Sequence, residues 1–333
     1  KYGVVASALV TVDGQEIACQ LDDLDQDEQY DELCFLADLY AKEKKSYSVT
    51  LYQEGSPRPY PARVYAEMLM RNDKVKEKNR HNNYIESITA RGDCANSYNL
   101  QHHHGVDFES ELNGIRIYFD KRQTLDLYGK FKKRLELKET QFYTSADQKK
   151  QGYGDDVLWV GNTFGLGAFR GWNGTEPTMV DPVRLRTNMT LRYTQYAGHR
   201  DTDVDVFFNK DVSDYRFSTG IINVKGSEEF TDKNGLRACW GTDYPSTDTV
   251  KWNRETVGLA ICIPRQNIVS EEPANKDNYA FVVKAEGKHL SYKVTYTSAN
   301  EEFGYHSSGE WFDYLKKWKR ELEQPALIKI QSR

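Results

Sequence analysis

Long apolar runs are missing from this 333-residue sequence, so no transmembrane span is expected. An excess of positive charge is missing too. Forty-five Lys and Arg face fifty Asp and Glu, for a net charge of -5, which repels a polyanion and argues against a nucleic-acid partner. Cysteine is scarce: Cys19, Cys34, Cys94, Cys239 and Cys262 form an odd, widely spaced set with no CxxC. That pattern excludes a disulfide framework and a structural zinc of the usual spacing, leaving free thiols. Neither a Gly-x-Ser-x-Gly elbow nor a Gly-Lys-Ser/Thr phosphate loop occurs, so serine hydrolases and P-loop enzymes are set aside. The chain opens on Lys1 rather than Met, which a removed signal peptide or trimming explains equally.

What the sequence does have is tyrosine, twenty-two of them, with six tryptophans. Such residues suit β-sheets, and they also suit sugar sites, where flat rings stack on pyranose faces. Apolar and polar residues alternate over 47–52, 64–70, 115–119, 203–208 and 290–296, the pattern of half-buried strands. Asp13-Gly14, Asn113-Gly114, Asn173-Gly174 and Asn234-Gly235 supply turn chemistry between them. A single convincing helix follows Ser307-x-x-Glu310, a capping box, with Trp311, Tyr314, Leu315, Trp318 and Leu322 on one face. The polar stretch 71–83 reads as a linker. It would divide an N-terminal β-unit, residues 1–72, from a larger β-domain, residues 73–333.

Chemistry-bearing residues concentrate in one run. His102, His103 and His104 are three of only seven histidines, and Asp107, Glu109 and Glu111 follow at once. On a flat strand His102 and His104 share one face and His103 takes the other, while the three carboxylates align. Gly105 between them could form a bulge that re-aims the side chains. A His–Glu pair suits general acid/base work, and a His pair with a carboxylate also suits a divalent metal. Bland alternatives stand beside each: a polar strand whose histidines bond the backbone explains the run equally simply.

Four further sites follow the same logic. Asp23, Asp25, Asp27 and Asp31 have the alternating spacing of a calcium loop, although Glu28 stands where such loops place glycine, and an acidic turn before a strand at 33–39 is the alternative. Arg116, Tyr118, Arg122, Asp126 and Lys130 could grip a carboxylate-bearing or hydroxyl-rich ligand, or merely pair across strands. Asp155 and Trp159 precede a glycine-rich stretch, where Trp159 could stack on a sugar and a glycine-kinked strand is the simpler account. His199-Arg200, after Tyr193 and Tyr196, and His306 offer a base near a cation, as β-elimination of uronates requires.

Several of these blocks together resemble an uncharacterised bacterial domain-of-unknown-function family of the galactose mutarotase-like superfamily. The likeness rests on His103-His104-Gly105, Glu109-Ser110-Glu111, the run 116–122 and the run 126–130, with 157–167 and 20–36 also similar. The resemblance implies an all-β, galactose mutarotase-like β-supersandwich of large antiparallel sheets, with a small N-terminal β-unit and a C-terminal helix. It also implies sugar sites on a concave sheet face, polysaccharide breakdown, and export to the periplasm or beyond. Related folds host epimerases, lyases and glycosidase accessory domains, so the fold does not fix the reaction.

The expectation is therefore a carbohydrate-active protein acting on oligosaccharide or polysaccharide by lyase- or epimerase-type proton transfer. His104 and Glu109 would be the acid/base pair, assisted by His103 and His199. Arg116, Tyr118, Arg122, Asp126, Lys130, Asp155 and Trp159 would hold the substrate. No cofactor is required, with calcium on Asp23, Asp25, Asp27 and Asp31 as the candidate ion. A non-catalytic glycan-binding protein, or a structural β-protein whose histidines merely satisfy backbone groups, would use the same residues.

Overall fold

The structure is a computed structural model that describes residues 3–72, 83–89, 99–179 and 189–331. Among the described residues it is an all-β chain with one long helix near its C-terminal end. The chain divides into two units, Lys1–Ala62 and Arg63–Arg333.

In the first unit, β1 (Ser7–Val12) lies between β2 (Gln15–Ile17) and β5 (Tyr47–Tyr52), all antiparallel. Asp13 and Gly14 join β1 to β2 with φ of 51° and 77°, the paired positive values that a two-residue hairpin turn needs. A second hairpin pairs β3 (Cys19–Asp22) with β4 (Glu32–Phe35). The strand expected at 33–39 is thus shorter and ends at Phe35.

Among the described residues, the second unit holds three antiparallel sheets. The first contains β6 (Val64–Met70), β7 (Gln101–Ser110), β8 (Gly114–Tyr118), β9 (Leu125–Gly129) and β10 (Asp155–Asp156), in spatial order β10-β9-β8-β7-β6. A second runs β12 (Pro177–Thr178), β11 (Arg170–Trp172), β15 (Phe217–Ile222), β20 (Asn278–Val283), β19 (Ile268–Glu271). The third has six strands: β13 (Met189–Gln195), β14 (Asp201–Phe208), β21 (His289–Ser298), β18 (Glu255–Cys262), β17 (Leu236–Asp243) and β16 (Glu228–Thr231). Two short helices, α1 (Leu137–Thr140) and α2 (Ala146–Lys150), follow β9.

One continuous core joins the three sheets. Ile115, Leu125 and Leu127 come from the first, Ile221, Phe281 and Val283 from the second, and Val204, Leu259, Ile261 and Val294 from the third. Tyr296 on β21 links the third sheet to the first. Its hydroxyl accepts the Gly114 amide at 2.8 Å and lies 2.7 and 2.8 Å from the carbonyls of Gly114 and Tyr128.

The division between units falls earlier than the expected boundary at residue 72. The strand 64–70 pairs along β7 and so belongs to the second unit. Most of the expected linker, residues 73–82, lies outside the described residues.

The helix α3 (Ser308–Leu322) forms where the sequence places it. Its Ser307 cap accepts the Glu310 amide at 3.3 Å, while Glu310 reaches back to the His306 amide at 2.9 Å, one residue beyond the usual box. Trp311, Leu315 and Trp318 bury against Leu236, Ala238 and Ala260 of the third sheet. Lys319 is buried and donates to Asp232 and to the Asn234 carbonyl. Cys19, Cys34, Cys239 and Cys262 are free thiols, and Cys94 lies outside the described residues.

Candidate functional site

The histidine run sits on β7, and its geometry departs from a flat strand. Met70 of β6 lies opposite Gln101, and Met68 lies opposite Val106. Two steps along β6 therefore face five along β7, a large bulge. His104 takes up the turn with φ at 67°, a value uncommon for a residue with a side chain. Gly105 then returns the strand to register against Tyr118. A Cβ at Gly105 would stand 1.7 Å from the Ile117 carbonyl oxygen, so only glycine fits that approach.

The bulge decides which side chains meet. Residues 103 and 107 on a regular strand would be about 13 Å apart. Here His103 Nε2 lies 3.5 Å from Asp107 Oδ2 and 3.5 Å from Glu67 Oε1 on β6. All three side chains are fully enclosed, at 4%, 0% and 0% exposure for Glu67, His103 and Asp107. Tyr65 donates to Glu67 Oε2 at 2.6 Å. Glu67 Oε1 and both oxygens of Asp107 accept no hydrogen bond among the described residues. Burial pushes both carboxyl groups above the usual carboxylate range, and for Asp107 the charges of Glu67 and Glu109 add to it.

Cross-strand register extends this group sideways. Glu67 stands opposite Asp107, Asp107 opposite Arg116, and Arg116 opposite Asp126, giving one charged row across four strands. Arg116 is 2% exposed and donates to Asp126, to the Tyr118 hydroxyl at 2.7 Å and to the Tyr143 hydroxyl at 3.1 Å. Asp156 on β10 lies 3.4 Å away. The guanidinium also stacks 4.0 Å from the Phe142 ring and 4.7 Å from the Tyr118 ring. Around it stand half-buried rings: His102 edge-on to Tyr143 at 5.7 Å, and His104 at 6.5 Å from Tyr118. Burial and Asp126 push the Tyr118 phenol well above its ordinary value, so it keeps its proton at neutral pH.

Other expected roles need correction. Glu109 cannot pair with His104 in catalysis, because it is fully buried and its oxygens are taken. Oε1 accepts the amides of Glu136 (2.8 Å) and Leu137 (2.7 Å), and Oε2 accepts Lys130. Lys130 is no substrate grip either. It is 0% exposed and donates to the Ser110 and Arg134 carbonyls as well as to Glu109. Arg116 is likewise committed to Asp126 and two phenols rather than presented outward. Arg122 closes onto Asp120 in the β8–β9 turn and lies 4.7 Å over Tyr118. Asp155 on β10 pairs with Lys149. Trp159 is 54% exposed, with its amide on the Tyr244 carbonyl at 3.2 Å.

His199 belongs to a different sheet from the histidine run, in the β13–β14 turn. Its Nδ1 lies 3.5 Å from Asp201, which also meets Lys293 at 3.6 Å. The hydrogen bond to Asp201 raises the His199 pKa. Burial pushes Asp201 up, but His199 and Lys293 outweigh it and leave its pKa lowered. The histidine contributes stability below about pH 6.5 and loses it as pH rises through its raised value. The aspartate contributes above about pH 4 and loses it as pH falls through its lowered value. The gap in melting temperature between the wild type and Asp201→Asn should therefore be widest between the ordinary aspartate and histidine values and narrow as pH rises through the raised value of His199. A gap independent of pH in thermal unfolding scans would show that the pair is not charged.

In the loop between β3 and β4, ligand oxygens of Asp23, Asp25 and Asp27 lie within 4.8 Å of one another. Asp23 accepts the amides of Gln26, Asp27 and Glu28, and Asp31 turns away to accept the Leu24 amide. Three of the four expected acids converge and the fourth does not.

Glu67, Tyr143 and Asp156 were not among the expected site residues. Glu67 carried a signal: a carboxylate between Tyr65 and Leu69, on the inward parity of an alternating strand.

A family model described as a domain of unknown function (DUF4861) matches residues 1–188 and 183–328. No curated protein and no solved structure matches the chain.

Proposed function

The chain belongs to the DUF4861 family, and we propose that it is a carbohydrate-active enzyme of polysaccharide breakdown, of galactose mutarotase-like type, working in the periplasm or beyond. Its substrates are oligosaccharides, uronate-containing ones included, and its chemistry is proton transfer of the lyase or epimerase kind. The observation that supports this best is the grouping around Arg116. One sheet face gathers a guanidinium, two phenols, three imidazoles and a row of carboxyl groups. Proton transfer next to a sugar carboxylate needs a donor, an acceptor and fixed positive charge.

In this reading the Tyr118 phenol is the acid, since it stays protonated, and the His104 imidazole is the base. Arg116 positions both phenols, and its charge is held in place by Asp126 and Asp156. His102 and Tyr143 complete the half-buried rim that a sugar would meet.

A panel of uronate oligosaccharides tests it, with absorbance of the unsaturated product reporting lyase action and NMR of the anomeric and C5 protons reporting epimerisation. Tyr118→Phe should lower kcat by about 10²–10⁴-fold, the usual worth of one acid or base. Turnover unchanged in that variant sinks the assignment of Tyr118. Trp159, exposed as a lone indole, favours a second reading: glycan binding without turnover. Binding abolished by Trp159→Ala, with no product from any oligosaccharide, would establish that reading instead.

Among the described residues, no helix is long and apolar enough to cross a membrane.

A further inference from the structure

The structure assigns a divalent metal site to Glu67, His103 and Asp107, of the kind that takes zinc or another first-row transition ion. One imidazole nitrogen and one oxygen from each carboxyl group lie within 4.8 Å of one another. Asp107 is 0% exposed, and neither of its oxygens accepts a hydrogen bond among the described residues, although Oδ2 points at His103 3.5 Å away. A buried carboxylate is normally hydrogen-bonded, ion-paired or bound to a metal, because leaving it bare in a low-dielectric interior is costly. Two such groups side by side, with an imidazole between them, give a negative hollow that a cation neutralises. The donor set chooses the ion. Calcium and magnesium prefer oxygen ligands throughout, whereas a nitrogen with two carboxylate oxygens is the mixed set of zinc centres with three protein ligands and one open position.

Local structure is organised to make this set. Glu67 is fixed by its Tyr65 hydrogen bond, so one oxygen is held and the other is left pointing at His103. The β7 bulge brings His103 beside Asp107, which a regular strand cannot do. The bulge also carries an uncommon backbone angle at His104 and requires glycine at 105. The bulge and the left-handed angle at His104 together produce this juxtaposition.

The inference does not depend on any sugar, and its test uses none. The full chain, stripped with a chelator and titrated with zinc chloride, should gain several degrees in melting temperature and bind one ion per chain at this site. Cobalt chloride should give the visible absorption of a low-coordinate site. Asp107→Asn and His103→Ala should abolish the zinc-dependent shift, while Asp25→Asn, in the other acidic cluster, should leave it unchanged. No shift with zinc, or a shift that survives Asp107→Asn, overturns the assignment. Should those variants fail to fold, X-ray absorption of the cobalt-loaded wild type decides. A shell with one imidazole nitrogen supports the site, and one without overturns it. The oligosaccharide panel can fail while the ion binds, so the two readings are separately tested.

Discussion

Replacing Glu109 with alanine is expected to destabilise the protein by about 3–5 kcal/mol, the usual effect of breaking a buried ion pair from one side. Lys130 would remain at 0% exposure with its charge uncompensated, and the amides of Glu136 and Leu137 would lose their acceptor. Removing both partners, as Glu109→Leu with Lys130→Met, should cost less than the sum of the two single changes, because no lone charge is left inside. Urea unfolding followed by tryptophan fluorescence measures Glu109→Ala, the two single changes and the double variant. A Glu109→Ala protein as stable as the wild type but inactive would restore Glu109 to catalysis and remove it from the scaffold. The distinction matters because the same residue, read from sequence, stands beside the histidines as a natural catalytic partner.

Arg116→Met should show a loss of similar size, about 3–5 kcal/mol, with a different pH dependence. The guanidinium is the shared partner of Asp126, Asp156, Tyr118 and Tyr143, and it stacks on Phe142. Asp156 is already pushed up by burial and by Asp126, with Arg116 opposing them. Without that opposition its carboxyl group would rise further. A raised carboxyl group weakens the fold above its unfolded value and ceases to do so once protonated. The part of the deficit due to Asp156 should therefore be present at high pH and vanish as pH falls through the raised value Asp156 has in the wild type. Arg116→Lys should recover little, since an ammonium supplies neither the planar fork nor the stacking surface. A deficit of equal size at all pH values would mean that packing on Phe142, rather than charge, is what Arg116 contributes.

Much of the fold is legible from alternation and turn residues. The strands at 47–52 and 64–70 appear with the bounds that alternation gives them, and α3 follows its serine cap. Local chemistry suffices there, because strand parity and helix caps are read over a few residues. The site is less legible for a definite reason. Glu67 meets Asp107 through the register of β6 on β7, which no local pattern specifies. His103 meets Asp107 only because His104 adopts a left-handed angle, and a histidine does not announce such a position as asparagine or glycine would. The bulge was expected from Gly105, yet the glycine serves a close backbone approach while its neighbour makes the turn. Glu109 misleads because composition cannot tell a carboxylate bonded to amides from one open to substrate.

Tyr296 gives the sandwich a mechanical property. Its phenol engages the end of β8 and the end of β9 from the middle of the opposite sheet. A one-residue shear between the two layers would break all of these contacts together. The layers are therefore pinned against sliding rather than merely held face to face. The sheet that carries Arg116 is thereby tied, at Gly114 and Tyr128, to the sheet behind it.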